Sequence, residues 1–277
     1  MPDLAELQVI IQRALAEDIG RGDVTSLWTL PPDLPGRGVF VAKADGILAG
    51  VEVVQQVFHQ VSPDIVFEFQ KADGDPIRYG DRLGSVIGPL QAILTAERTA
   101  LNLMQRMSGI ATLTRRYVDL VKGTRAVILD TRKTVPGLRL VDKWAVRLGG
   151  GQNHRLRLDD MVLIKDNHIA ACGSITVAVE RVRAHNTQNL PIEVEVKNWA
   201  ELEEAVALRP DRIMLDNIPP AEMTRMVAWV AGRVPLEASG GVNLETVRAI
   251  AETGVDYISV GALTHSVTAL DISLEVE

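Results

Sequence analysis

Cysteine is all but absent from this chain. Cys172 stands alone among 277 residues, so no internal disulfide can form and no cysteine-based metal centre can be built. A lone thiol suits a reducing compartment. Long apolar runs are missing too: no segment approaches the roughly eighteen uninterrupted apolar residues of a membrane-crossing helix. The opening stretch MPDLAELQVIIQRALAED has acids where a secretory signal places Lys or Arg before an apolar run, so the expectation is a cytoplasmic protein with no membrane partner. Positive charge is in short supply overall. With 29 Lys and Arg against 36 Asp and Glu, the formal charge is −7. That balance argues against nucleic acid as a partner, because affinity gained by neutralising phosphates needs a basic face. No His-Glu-x-x-His zinc pattern occurs, and the histidines taken singly read as structural.

What is present is ordinary for a globular chain: 47% apolar and 23% charged residues, enough for one large or two unequal domains and far from a disordered or collagen-like composition. One stretch departs from the acidic background. LDTRKTVPGLRLVDKWAVRLGGGQNHR, residues 129–155, carries six Lys or Arg against two Asp. So local a concentration of fixed positive charge asks for an anionic occupant.

The chain has two textures. Leu4, Leu7, Ile11 and Leu15 recur at helical spacing, and after the turn-rich DIGRGDVTS the sequence reads as short alternating segments. VFVAKADGILAG and IVFEFQKADGDPIRYGDRLGSVIGP read as strand-turn-strand, with Asp-Gly pairs at turns suited to positive φ. A lipoyl-type carrier hairpin would need an exposed Lys at its turn, and DGDPIRYGDRLGSVIG has none there. A helical stretch follows from about residue 93 to 121. From residue 126 onward, six apolar strands alternate with amphipathic helices: AVILDTRK, MVLIKD, IEVEV, RIMLD, PLEASGG and YISVGA. Near-continuous apolar strands between helices imply a parallel sheet buried on both faces. Six units leave two architectures open, an incomplete (β/α) barrel or an open doubly wound sheet.

Either way, ligands sit at the carboxyl ends of such strands. Each strand here finishes in residues that an apolar core would not choose: Arg132 with Lys133, Lys165 with Asp166, Glu195, Asp216, Ser239 with Gly240, and Gly261. His154 and Arg155 lie in the loop entering the second strand and could fold over the mouth. Cations outnumber acids in this set, which predicts a polyanionic ligand, since a buried unpaired charge costs several kcal/mol. The Gly-containing ends ASGG and VGA precede helices, where main-chain N–H groups can cradle a phosphate. Glu195 and Asp216 then suit ribose hydroxyls or Mg²⁺.

The motifs DTRKT, PGLR, GGGQNHR, LIKDNH, EVEV, MLDN, EASGG and ISVGALTHS together resemble quinolinate phosphoribosyltransferase, the decarboxylating nicotinate-nucleotide pyrophosphorylase of NAD biosynthesis. The resemblance runs from EDIGRGDVTS to the last barrel strand. It implies an α/β fold: an N-terminal α/β sandwich-like domain over residues 1–107 and an incomplete, six-stranded α/β TIM-like barrel over 108–277, with the last residues packing back on the N-terminal domain. It also implies transfer of phosphoribose from phosphoribosyl pyrophosphate to quinolinate, with Mg²⁺ and no organic cofactor. The resemblance further assigns Lys133, Lys165, Glu195 and Asp216 to catalysis. Thr131, Arg132, Lys133, His154, Arg155 and Lys165 would bind the substrates, Glu195 and Asp216 would face ribose and metal, and Ser239, Gly240, Gly241, Val260, Gly261 and Ala262 would hold the 5′-phosphate. Arg98, in TAERTALN, would reach into the neighbouring site of a homodimer. Two positions depart from the family pattern: Lys197 stands where relatives often place an acid, and Arg157 where many have Gly.

The nearest alternative is a molybdenum-transport-linked paralogue of the same scaffold acting on another acceptor. Two further readings are a Schiff-base aldolase, disfavoured by the surplus of Arg, and a non-catalytic phosphometabolite sensor.

Overall fold

A computed structural model describes residues 3–277. In chain order its elements begin with helices α1 (Leu4–Ile19) and α2 (Val24–Thr29), strands β1 (Pro35–Ala42) and β2 (Gly46–Ile47), and helix α3 (Val51–Val61). Strands β3 (Val66–Phe69), β4 (Pro76–Ile77) and β5 (Arg82–Pro89) lead into the long helix α4 (Leu90–Leu120). Then come β6 (Val127–Leu129), α5 (Arg139–Leu148), β7 (Val162–Ile164), α6 (Asp166–Cys172), α7 (Ile175–His185), β8 (Ile192–Val196) and α8 (Trp199–Leu208). The chain closes with β9 (Arg212–Asp216), α9 (Pro220–Val230), β10 (Leu236–Ser239), α10 (Val247–Glu252), β11 (Tyr257–Ser259), α11 (Ala262–His265) and β12 (Ile272–Val276). No helix among the described residues is long and apolar enough to cross a membrane.

Two compact units interleave along the sequence. One takes the residues up to Arg115, then Thr134–Gly150 and Leu263–Glu277; the other takes Arg116–Lys133 and Gly151–Ala262. The sequence reading instead places one cut after residue 107.

In the first unit, α1 starts where the Asp3 carboxylate accepts the Ala5 N–H and stops at Gly20, whose φ of 56° a side chain would resist. It buries Leu7, Ile10, Ile11 and Leu15, spaced for one helix face. The antiparallel sheet has the order β12-β1-β5-β3, with Phe40 opposite Leu274 on one side and opposite Gly84 on the other.

Residues 20–89 are less β-rich than their sequence suggests. VEVVQQVFHQV forms α3, because Val53, Val54, Val57 and Phe58 make an apolar stripe at helical spacing that outweighs their β-branched propensity. The two halves of VFVAKADGILAG part company: β1 joins the four-stranded sheet, while β2 pairs with β4. Gly74 does take a positive φ of 94°. Gly46 does not; it is required instead by crowding, since a Cβ there would lie 2.1 Å from Leu270 Cδ1.

In the second unit, six parallel strands run in the order β6-β11-β10-β9-β8-β7. After β6 the strands follow round in sequence until the last lies beside the first. Doubly wound sheets reverse direction midway, so this order identifies barrel winding. The gap lies between β6 and β7. There the Gln152 main chain stands in, donating to Ile128 O at 2.9 Å and accepting from the Asp130 N–H at 3.1 Å.

Candidate active site

The parallel strands bring their carboxyl ends to one rim of the second unit. Asp216 ends β9 and sits in register with Ser239, which ends β10. Lys165 directly follows β7 and caps α6, its N–H donating to His168 Nδ1 at 2.9 Å. Thr131, Arg132 and Lys133 follow β6 in a tight turn, closed by the Lys133 N–H on the Thr131 hydroxyl at 3.0 Å. Val260 ties the end of β11 to β6 by donating to Leu129 O at 2.9 Å, and Gly261 and Ala262 continue from it into α11. His154 and Arg155 belong to the loop before β7. That loop is held by Asp130, which accepts the His154 N–H at 2.9 Å and the Asn153 amide at 2.5 Å.

Positive side chains gather at this rim, with Arg132 and Lys133 after β6, Arg155 before β7 and Lys165 after it. Burial lowers the Arg155 guanidinium pKa, and the nearby charge of Arg132 lowers it further. The charges of Asp160 and Glu193 oppose that shift, and an anion beside Arg155 would act in the same sense. After β7 and at the end of β8, Lys165 Nζ lies 3.6 Å from Glu195 Oε2. Burial raises the Glu195 carboxyl, Lys165 opposes that shift, and Asp216 adds to it. A pair of hard oxygen donors of which one pushes up the other fits a divalent cation such as Mg²⁺, which takes one or two protein carboxylates and fills its shell with phosphate oxygens and water. Beyond the rim, the departing residue Lys197 pairs with Asp166 at 2.5 Å, both exposed. An exposed pair of this kind contributes little to stability.

The glycines of ASGG are needed for the backbone path. Gly240 has φ of 93°, and a Cβ there would lie 2.1 Å from Asn217 Oδ1, whose amide nitrogen donates to Asp216 at 2.9 Å. Gly241, at φ of 62°, faces open space. Two successive residues at positive φ, the second with nothing over it, turn main-chain groups towards a ligand.

His154 occupies a different position from the one suggested by its neighbours in sequence. Its ring is buried in the barrel interior, with Nε2 2.9 Å from Glu193 Oε2 and 3.6 Å from Glu237 Oε2, while Nδ1 accepts the Arg155 N–H at 2.8 Å. Glu237 also accepts from Arg212 Nη1 at 2.7 Å, and the Arg212 guanidinium lies 4.0 Å over the Tyr257 ring. Burial pushes both Glu193 and Glu237 up to about 7. Taken as apolar runs, IEVEV, RIMLD and PLEASGG give no place to this polar tier. The signal was there: residues two or four apart on a strand share a face, so Glu193 points with Glu195, Arg212 with Asp216, and Glu237 with Ser239. Arg98 lies on α4 in the first unit, exposed, with the Glu97 carboxylate 3.9 Å away.

Two family models match the chain, described as quinolinate phosphoribosyl transferase, N-terminal domain, over residues 23–108, and C-terminal domain, over 110–275. The chain is similar to the chloroplastic, carboxylating nicotinate-nucleotide pyrophosphorylase of Oryza sativa subsp. japonica, 46% identical over 98% of this chain and 78% of the relative. It is also 47% identical to a decarboxylating quinolinate phosphoribosyltransferase, 1b, of Nicotiana tabacum, over 98% of this chain and 83% of that one. The solved nicotinate-nucleotide pyrophosphorylase of Francisella tularensis superposes with a TM-score of 0.96 at 39% identity, covering 100% of this chain and 98% of that chain.

Proposed function

The chain belongs to the quinolinate phosphoribosyl transferase family, and from that premise we infer that it transfers phosphoribose from phosphoribosyl pyrophosphate to quinolinate with decarboxylation. The products are nicotinate mononucleotide, CO2 and pyrophosphate, and the reaction serves de novo NAD biosynthesis. The observation that carries this reading is the gathering of Arg132, Lys133, Arg155 and Lys165 around the carboxyl ends of β6 and β7, with Lys165 3.6 Å from Glu195. Such a rim favours a guest with several negative charges, and both substrates are of that kind.

Quinolinate presents two neighbouring ring carboxylates, one of them on the carbon next to its nucleophilic nitrogen. Arg132 and Arg155 suit the task of pinning them, because a planar guanidinium pairs with a carboxylate through two parallel hydrogen bonds and so fixes direction as well as position. Lys133 and Lys165 take phosphate and carboxylate charge. Main-chain groups around Ser239, Gly240, Gly241, Val260, Gly261 and Ala262 receive the 5′-phosphate. As the bond from the anomeric carbon to pyrophosphate breaks, the carbon becomes cationic, and the carboxylates of Glu195 and Asp216 stabilise it from fixed positions. The ring nitrogen then bonds to that carbon. The adjacent carboxylate leaves as CO2, its bonding pair falls to the ring carbon next to the cationic nitrogen, and a proton from solvent completes the product. No covalent enzyme intermediate is involved. Magnesium, when bound, would be held by Glu195 and Asp216 together with substrate phosphates and would neutralise charge on pyrophosphate.

The working unit in this reading is a homodimer in which exposed Arg98 serves the neighbouring site. The cytoplasm is the proposed compartment, in keeping with the lone Cys172.

Incubation with quinolinate, phosphoribosyl pyrophosphate and Mg²⁺ tests the activity directly, with nicotinate mononucleotide and quinolinate-dependent CO2 as readouts. Lys133→Ala and Arg155→Ala should remain folded and lose roughly ten- to a hundredfold or more in kcat/KM, the effect of removing one charge-assisted hydrogen bond. Release of CO2 that does not depend on quinolinate, or turnover by both variants close to that of the wild type, would count against the assignment.

A further inference from the structure

The roles above leave the buried tier beneath the rim without a task. Its geometry is specific. Because Nδ1 of His154 accepts the Arg155 N–H, it carries no proton, and in the neutral ring the proton sits on Nε2, which faces Glu193 Oε2 at 2.9 Å. The residue before Arg155 is thus held from two directions: its main-chain N–H is bound by Asp130, and its ring is bound by Glu193. Glu193 in turn lies next to Glu237, which Arg212 secures at 2.7 Å. The Arg155 guanidinium is braced by Met161 O at 3.1 Å. Few freedoms remain to a side chain that must point at a ring carboxylate.

A metal ion is the obvious rival occupant, since the donor atoms of His154, Glu193 and Glu237 lie within 4.8 Å of one another. The charges argue against it. Arg212 already takes an oxygen of Glu237, Arg155 and Lys165 both act on Glu193, and the His154 nitrogen that faces the carboxylates carries the ring proton and so offers a metal no lone pair.

We propose that His154 is a positioning residue that touches no substrate: Glu193 clamps its ring, and the ring fixes the main chain of Arg155 and so aims that guanidinium at quinolinate. Glu193 and the Glu237–Arg212 pair are then parts of the recognition apparatus, although none of them reaches the ligand. This extends the functional reading above and rests on it.

The test has a spectroscopic arm and a kinetic arm, both on the full chain. Long-range nitrogen-proton NMR of protein labelled at histidine, with the His154 signal assigned by its loss in His154→Gln, should show a neutral ring protonated on Nε2 at pH 7.5. A ring protonated on Nδ1, or on both nitrogens, overturns the clamp whether or not the protein turns over quinolinate. In the kinetic arm, Glu193→Leu should raise the KM for quinolinate by about tenfold while leaving that for phosphoribosyl pyrophosphate within about twofold. Glu193→Gln keeps an acceptor for the Nε2 proton and should restore most of the loss. In an Arg155→Lys background, Glu193→Leu should cost nothing more. Equal additive losses in both backgrounds, or an unchanged quinolinate KM in Glu193→Leu, would overturn the proposal; should Glu193→Leu fail to fold, the Glu193→Gln and NMR results still decide it. A wild type that binds no quinolinate by calorimetry would defeat the functional reading itself, and would be recognised by that binding result.

Discussion

Replacing Glu237 by Gln should make the protein more resistant to unfolding at pH 8 while changing little at pH 5. Glu237 lies inside the barrel, where burial raises its carboxyl to about 7, the Glu193 charge adds to that, and Arg212 opposes it. In the unfolded chain the same group titrates near 4.5. A carboxyl whose folded-state value lies above its unfolded value contributes stability in full below about pH 4.5 and loses it as pH rises towards 7. An interval of about 2.5 pH units, at 1.36 kcal/mol each, corresponds to roughly 3 kcal/mol lost by the wild type across that window. Gln is an uncharged substitute of the same shape. Its carbonyl can keep the Arg212 hydrogen bond, and its amide can turn toward Glu193. Thermal unfolding of the two proteins from pH 5 to 8 gives the comparison. The wild type should lose roughly 5–10 °C in Tm relative to the variant between the ends of that range. Curves that run parallel throughout would refute the reasoning, because they would mean that Glu237 titrates alike in the folded and unfolded chains.

Three further outcomes are expected. Gly240→Ala forces a Cβ to within 2.1 Å of Asn217 Oδ1 at a φ of 93°; steady-state assays should find the KM for phosphoribosyl pyrophosphate raised by about tenfold in a folded protein. Arg106 clasps the fully buried Asp142 through two hydrogen bonds of 2.7 and 2.8 Å. Arg106→Ala leaves that charged carboxylate only the Val135 N–H at 3.3 Å and should cost roughly 3–5 kcal/mol in denaturant unfolding, most of it recovered when Asp142→Leu is added. Mixing Arg98→Ala and Lys165→Ala subunits, each inactive alone, should recover about a quarter of wild-type activity, because half the dimers are mixed and each mixed dimer has one intact site. No recovery in verified mixed dimers would remove Arg98 from the neighbouring site.

The six strands of the barrel were legible because each is an apolar segment between turn signals, and the rim was legible because Lys165, Asp216 and Ser239 interrupt apolar patterns where strands end. Arg132 and Lys133 could be placed only approximately, since β6 stops at Leu129 and they lie beyond it in the turn. The polar tier escaped because reading a strand as one apolar run ignores the alternation that separates Glu193 from Ile192 and Val194. Helix α3 escaped for the opposite reason: its valines favour strands locally, and only the spacing of Val53, Val54, Val57 and Phe58 shows the helix face. Burial directions set by partners distant in sequence, such as His154 turning to Glu193, have no signature in any short window.

The seam between β6 and β7 bears on how the barrel breathes. Elsewhere the wall is a ladder of paired strands, but here two main-chain hydrogen bonds to Gln152 stand in for a missing neighbour. Widening the barrel costs least along that line, and Arg132 and Arg155 flank it in sequence. Amide protons of residues 128–130 and 152 should therefore exchange sooner than those of β8 and β9, whose main-chain groups are held by paired strands on both sides.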